Sequence, residues 1–508
     1  MNLRPTGLLL CSAVSLFALP ASLRSGAAPA PAASAASVTP PATSARSAPK
    51  LPAMFDVRAI DAYLSGQVQG ASRVGLSVAI LHHGRLVLSK GYGKRSLAAG
   101  RPPLDRLGAG LGSLGGEPVE TNTLFAIGSV SKQFTCACIL LLAEDGRLSV
   151  RDPVAKYYPQ LTRAKDITLL DLMNHVSGYP DYYPLDFVDR RMGRAIEPDE
   201  LLRQYAGGKL DFEPGSRWSY SNTGYILLGR VVEKVSGEPF GAFLERRVLR
   251  PLGLGQTVYE PAPTDQRLAG GYTTFALSDP ESVGPEGAGW LGGAGGICST
   301  PTDLAKWDLA LMDGRLLKPE SYALMTAPRT LSDGRVTDYG CGLSVRLQAG
   351  RQVVSHNGAV SGFNTWNSMI PSTRSAVIMT CNLDGGLGSL PRDVLSLLLR
   401  EPGNVPAVKG PLAVEQVKTL FAQFRRGKVT RATFGEEFNQ FLTDQKIAGA
   451  AARLKPYRSL QQAEVTNSHE RGGMEVTVTR LTFRNGVLCA LMYRRSDGKV
   501  EQFFLDHE

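Results

Sequence analysis

The chain has 508 residues, enough for two or three domains at about 150 residues each. With 43% hydrophobic and 20% charged residues it lies near the globular average, which excludes a disordered or fibrous protein. The formal net charge of +10 is spread thinly, and no basic run is long enough to form a nucleic-acid surface.

Taken in chain order, the first element is an address. Arg4 precedes an apolar stretch over residues 8–19, and Ser25-Gly26-Ala27-Ala28 follows. This is the layout of a secretory signal peptide over residues 1–27, with cleavage near Ala27. A stretch of twelve residues is too short to cross a bilayer, which needs about 20. An exported protein, periplasmic or extracellular, with no transmembrane segment after cleavage, is therefore expected. Residues 28–50 are almost wholly Ala, Pro, Ser and Thr; they can bury little and read as a linker.

The pattern over 55–64 is helical. Residues 74–92 read as a hairpin, with Leu76, Val78 and Ile80 alternating before a turn at His83-Gly84. A Gly- and Pro-rich loop then runs to 119. It contains a dinucleotide-like run from Gly110 to Gly115, but no strand precedes it and Glu117-Pro118 follows, so a nucleotide site is not expected. A helix is predicted from Ser129 to a stop at Gly146, and another over 226–236. Strand character returns at 351–354, 363–370 and 375–381, with a closing helix at 394–399. Strands at both ends with helices between predict an α+β domain over 51–400. Residues 401–411 read as a linker. Beyond it, helices at 413–424 and 431–442 precede strands at 476–483, 487–493 and 500–505, with turns at Asn485-Gly486 and Asp497-Gly498. This predicts a small α+β accessory domain over 412–508.

Six dispersed cysteines follow the leader, without the density of a disulfide scaffold, and read as small buried hydrophobes. No His/Cys cluster has metal-ligand spacing, so neither a metal nor another cofactor is expected.

Three short motifs carry chemistry. Ser129-Val130-Ser131-Lys132 sets a hydroxyl and an amine three residues apart, on one face of a helix start. A desolvated lysine can take the serine proton. Tyr220-Ser221-Asn222 offers a phenol to relay a proton and an amide to bind a carbonyl. His356-Asn357-Gly358 leads into Ala359, where small residues let a substrate lie against a strand edge with a main-chain N–H aimed at the reacting oxygen. Each motif has a decoy or a bland reading: Ser47-Ala48-Pro49-Lys50 and His82-His83-Gly84 fit the first and third patterns, and Tyr-x-Asn is commonly a helix start.

Their joint order is specific. Phe125 to Thr135 around Ser129 and Lys132, then Thr168, His175-Val176-Ser177-Gly178, Tyr220-Ser221-Asn222, Gly292-Gly293-Ala294-Gly295-Gly296 and His356-Asn357-Gly358 together resemble the serine β-lactamase-related family. That family includes class C β-lactamases, D-Ala-D-Ala carboxypeptidases, D-aminopeptidases and esterases. The resemblance covers about residues 55–400. It implies an antiparallel sheet domain plus a helical domain, with the site between them. It further implies that Ser129 is an acyl-forming nucleophile and Lys132 its proton acceptor, with Tyr220 as proton shuttle. Asn222 would orient the substrate, and the N–H groups of Ser129 and Ala359 would form the oxyanion hole beside His356 and Gly358. Whether Lys132 or Tyr220 is the general base stays open at this level, since free pKa values of about 10.4 and 10 are alike. His175 and Ser177 are expected to be structural or site-lining. β-Lactamases and transpeptidases usually carry Lys where this chain has His356, which turns the expectation toward a serine hydrolase of esters or D-amino-acid-containing amides and peptides, cell-wall-derived ones included. A β-lactamase or carboxypeptidase, and a non-turnover sensor on the same fold, are the alternatives.

Overall fold

The computed structural model describes residues 50–507 apart from 53, 71–72, 99–114, 186, 276–277, 401–404 and 407. The expected leader, the Ala/Pro-rich linker before Lys50, nearly all of the glycine run near 110 and part of the 401–411 linker lie outside the described residues.

The frame is one antiparallel sheet. Its strands are β1 (Gly75–His82), β2 (Arg85–Leu97), β3 (Gly116–Pro118), β4 (Ser344–Gln348), β5 (Arg351–Val360), β6 (Phe363–Ile370) and β7 (Ser375–Cys381), ordered β3-β2-β1-β7-β6-β5-β4. His83 and Gly84, with φ of 49° and 75°, form the two-residue left-handed turn that joins β1 to β2. Part of the stretch read as loop up to 119 is instead edge strand β3, paired to the end of β2. β5 also runs through His356 and Gly358 to Val360, six residues beyond the predicted strand.

β1 and β7 come from opposite ends of this region and pair from Leu76↔Cys381 to Leu81↔Ala376. Because side chains alternate across a strand, each strand feeds two cores. The relevant helices are α1 (Val57–Gly70), α2 (Ser131–Glu144), α3 (Asn222–Ser236), α4 (Gly292–Gly295), α5 (Pro301–Met312) and α6 (Leu390–Arg400). Val78, Ile80, Val377 and Met379 join a core with Ile60, Leu64, Val394 and Leu398 of α1 and α6. Ala79, Leu81, Ala376 and Ile378 join the larger core of the helical layer, with Phe134, Leu227 and Trp307. Hence β1 is buried almost end to end and reads as a near-continuous apolar run. α2 is buried from Ser131 to Leu142, so its first turn is held on every side.

The C-terminal residues form a second sheet, β8 (Leu460–Arg471), β9 (Met474–Phe483), β10 (Gly486–Arg494) and β11 (Val500–His507), in sequential antiparallel order. Helices α7 (Ala413–Arg426), α8 (Glu436–Phe441) and α9 (Asp444–Leu454) supply Leu420, Phe424, Phe438 and Ile447 to its own core. The helix predicted over 431–442 is broken. Gly435 lies so close to β11 that a Cβ would meet the Glu501 carboxylate at 2.2 Å, and its N–H donates to Val500 O; only a short turn and α8 remain. α9, capped by Thr443, and β8 were not predicted; β8 is an edge strand of mostly polar residues with few buried positions. The buried Arg494 reaches back to Pro411 O at 2.7 Å and pairs with Glu475 at 2.5 Å, which ties the start of this unit to its sheet. Among the described residues no helix is long and apolar enough to cross a membrane. Cys136, Cys138, Cys298, Cys341 and Cys381 are free and buried.

Candidate active site

Ser129 stands on a single 3₁₀ turn, Gly128–Val130, that runs directly into α2. Lys132, in the first turn of α2, is fully buried. Its Nζ lies 3.0 Å from Ser129 Oγ, 2.7 Å from Asn222 Oδ1 and 2.8 Å from Ala294 O. Burial pushes the Lys132 ammonium down to about 7, against an upward pull from the Asp181 carboxylate.

Asn222 opens α3. Its backbone N–H donates to Asp181 Oδ1 at 3.0 Å, and its Nδ2 donates to Asp181 at 3.1 and 3.3 Å. Asp181 thus satisfies an orphan N–H at the helix start and places negative charge at the positive end of the helix dipole. It also decides which way the Asn222 amide faces, since its carboxylate can only accept; Oδ1 is left to face Lys132. Tyr220, just before α3, hydrogen-bonds Ser129, and desolvation raises its phenol above the ordinary range. The Lys132 Nζ sits 4.9 Å from the centre of the Tyr220 ring.

The backbone carbonyl of Ala294 reaches Lys132 because α3 and α4 cross at glycines: a Cβ on Gly293 would come within 2.7 Å of Tyr225 O. Thr135 Oγ1 donates to Gly293 O at 2.7 Å, and Ser131 Oγ accepts from Ile297 N at 3.2 Å, so α2 is stitched to the same segment.

β5 closes the other side. A Cβ on Gly358 would stand 1.9 Å from Ile127 O and 3.1 Å from Ser129 N, and one on Gly128, whose φ is +52°, would meet Ala359 N at 2.9 Å. Two backbones approach without side chains between them, which brings the N–H of Ala359 beside that of Ser129.

His356 belongs to a buried relay whose tautomers follow from its partners. Its Nδ1 must donate to Asn357 O at 2.6 Å, so its Nε2 accepts from Tyr339 Oη at 2.7 Å. The Tyr339 oxygen then accepts from His175 Nε2 at 3.2 Å, and His175 Nδ1 accepts the Ser221 N–H at 3.1 Å. Both imidazoles are neutral: burial, with Lys132 nearby, pushes His356 down to about 3 and His175 well below its ordinary value. His175, with φ of 60°, therefore supports the start of α3 from beneath. Ser177 Oγ accepts from Tyr179 N at 3.3 Å, a local turn contact. Replacing Tyr339 by Phe would strand two buried histidine nitrogens, and we expect a stability loss of about 2–4 kcal/mol by urea unfolding; a loss below about 0.5 kcal/mol would refute this relay.

These groups border a cleft of about 680 Å³ lined by Ser129, Tyr220, Asn222, His356 and Ala359, with Trp218 at its rim. The structure brings together Ser129, Lys132, Tyr220, Asn222, His356, Gly358 and Ala359. The His82-His83-Gly84 decoy sits in the β1–β2 turn. The sequence reading missed Asp181 and Tyr339. Neither carries a local signal, because their partners lie 41 and 17 residues away in sequence.

Penicillin-binding protein 4* of Bacillus subtilis is 31% identical over 281 residues, 52% of this chain and 62% of that protein. A D-aminopeptidase of Brucella anthropi is 25% identical over 351 residues, 68% of this chain and 63% of that protein. The chain thus spans less than two thirds of either relative. In fold it is similar to a D-stereospecific amidohydrolase from Streptomyces, with TM-score 0.55 and 24% identity over 67% of this chain and 98% of that one. It is also similar to a penicillin-binding protein homologue from Pyrococcus abyssi, with TM-score 0.56 and 20% identity over 89% of this chain and 96% of that one. The Beta-lactamase family pattern matches residues 60–399, two thirds of the sequence, and the chain belongs to the β-lactamase family.

Proposed function

We propose that the protein is an exported serine hydrolase that forms an acyl-enzyme on Ser129 and cleaves esters and D-amino-acid-containing amides or peptides. The observation that carries this reading is the set of neighbours around Lys132 Nζ. Asn222 Oδ1 and Ala294 O can only accept. A neutral amine donates its two N–H bonds to them and turns its lone pair toward Ser129 Oγ. Burial pushes its pKa down to about 7, which makes that neutral form accessible near neutral pH.

Lys132 then takes the Ser129 proton as Oγ attacks the carbonyl carbon. Charge developing on the carbonyl oxygen meets the N–H groups of Ser129 and Ala359. Tyr220, kept protonated by its raised pKa, gives a proton to the leaving alcohol or amine as the C–O or C–N bond breaks, and is resupplied from Lys132. Water attacks the acyl-enzyme through the same groups, releasing the acid and restoring Ser129.

Substrate class rests on charge. Asp181 and Asp384 line the cleft, and no lysine or arginine does among the described lining residues. His356 is neutral and engaged with Tyr339, so it offers no fixed charge to a substrate carboxylate. β-Lactams and peptides cut next to a C-terminal carboxylate therefore rank second. The D-aminopeptidase and D-stereospecific amidohydrolase relatives support the D-amino-acid side. We assign the chemistry to residues 51–400 and an accessory role to 412–508; the apolar stretch over 8–19 with the small residues after it supports export.

The test is p-nitrophenyl acetate hydrolysis by the protein and by Ser129→Ala. Turnover that falls to background in the variant is the expected result. Equal rates in two folded proteins would sink the reading and favour a binding protein.

A further inference from the structure

A second cavity of about 710 Å³ adjoins the cleft, and Leu291, Gly295, Val360 and Ser361 line both. Its size lies within the range of small-molecule pockets. Pro261, Pro263, Leu268, Val283, Pro285 and Phe363 contribute apolar wall.

Three carboxylates also reach it, and each is already engaged. Asp265 is paired with Arg267 at 2.6 Å. Glu286 accepts from Tyr183 Oη at 2.7 Å and from the Ser361 N–H at 3.0 Å. Glu260 hydrogen-bonds Tyr259 and the Gly292 N–H. No lysine or arginine lines the cavity among the described residues. An anion is therefore repelled, and what the cavity offers a ligand is removal of apolar surface from water.

The shared wall also gives a direction. Gly295 abuts the nucleophile turn, where a Cβ would stand 3.8 Å from Gly128, and Val360 follows Ala359 on β5. Tyr220, which protonates the leaving group in the mechanism above, lines the cleft and not the second cavity. The leaving group thus departs on the Tyr220 side, and the acyl part extends past Gly295 and Ser361.

We infer that this cavity is an acyl-chain subsite, which makes the protein selective for substrates whose acyl portion carries a long, uncharged apolar group. The inference rests on the acyl-enzyme reading, and the experiment separates the two. p-Nitrophenyl esters with straight acyl chains of two to ten carbons keep one leaving group while the chain grows. Each methylene that enters the cavity can raise kcat/KM by up to about fourfold. We expect a rise of at least about tenfold between the two- and eight-carbon esters. Val283→Trp, which fills the cavity, should keep the acetate rate within about twofold and lose most of that rise. Ala288→Phe, on an exposed part of the same wall, should do the same, and serves if the first variant does not fold. A flat chain-length profile in the unmodified protein, or a profile left intact by both variants, would overturn the inference. Ser129-dependent acetate turnover would survive either result and reports on the parent reading alone.

Discussion

Lys132→Met is expected to lower kcat by about 10²–10⁴-fold, the range for losing a positioned general base. The unmodified protein should show kcat/KM rising with pH through about 7 and falling below it. The sign follows from the chemistry: the base works when neutral, and Lys132 loses its proton near 7 because burial disfavours the ammonium. Asp181 pulls in the opposite direction, holding that value higher than burial alone would. Asp181→Asn removes the pull, so the acid limb should move to lower pH, with a reduced maximum because Asn222 loses its charged partner. A pH–rate profile of both proteins checks this. An acid limb that stays in place in Asp181→Asn, or moves to higher pH, would contradict the assignment of Lys132 as base.

Gly358→Ala should cost about 10²–10³-fold in kcat, the scale of losing one oxyanion donor. The methyl group would need the space of Ile127 O, 1.9 Å away, and would press on the Ser129 N–H at 3.1 Å. β5 must then move off the nucleophile turn and take the Ala359 N–H with it. Gly208→Ala is the matching control, since its nearest neighbour is Gln204 O at 3.7 Å; it should behave like the unmodified protein. Acetate turnover together with thermal melts distinguishes the two. A Gly358→Ala protein with full activity would mean that the close approach of β5 is not needed for catalysis.

Much of the frame is legible along the chain because it is built from local pattern. The alternation of Leu76, Val78 and Ile80, the His83-Gly84 turn and the apolar run of α2 each specify their element within a few residues. The motif residues were legible for the same reason, since Ser129 and Lys132 share one turn and Tyr220 and Asn222 lie two apart. Where the reading failed, the deciding contact was distant. The helix predicted over 431–442 broke at Gly435 because β11, more than sixty residues later, presses on it. β8 escaped notice because an edge strand with few buried positions carries almost no apolar alternation.

By itself, then, the sequence determined the family, the α+β class and the set of candidate side chains, because these depend on residue type and short spacing. Only the tertiary structure decided how those groups are poised. It put Asp181 behind Asn222, placed two carbonyl oxygens on Lys132, and turned His356 inward to Tyr339 rather than leaving it as a charge facing the cleft. It also opened a second apolar cavity beside Gly295. Each of these joins residues from separate elements. A pKa depends on burial and on the charges that surround a group in space, and a cavity on which walls meet; neither is encoded in the neighbours a residue has along the chain.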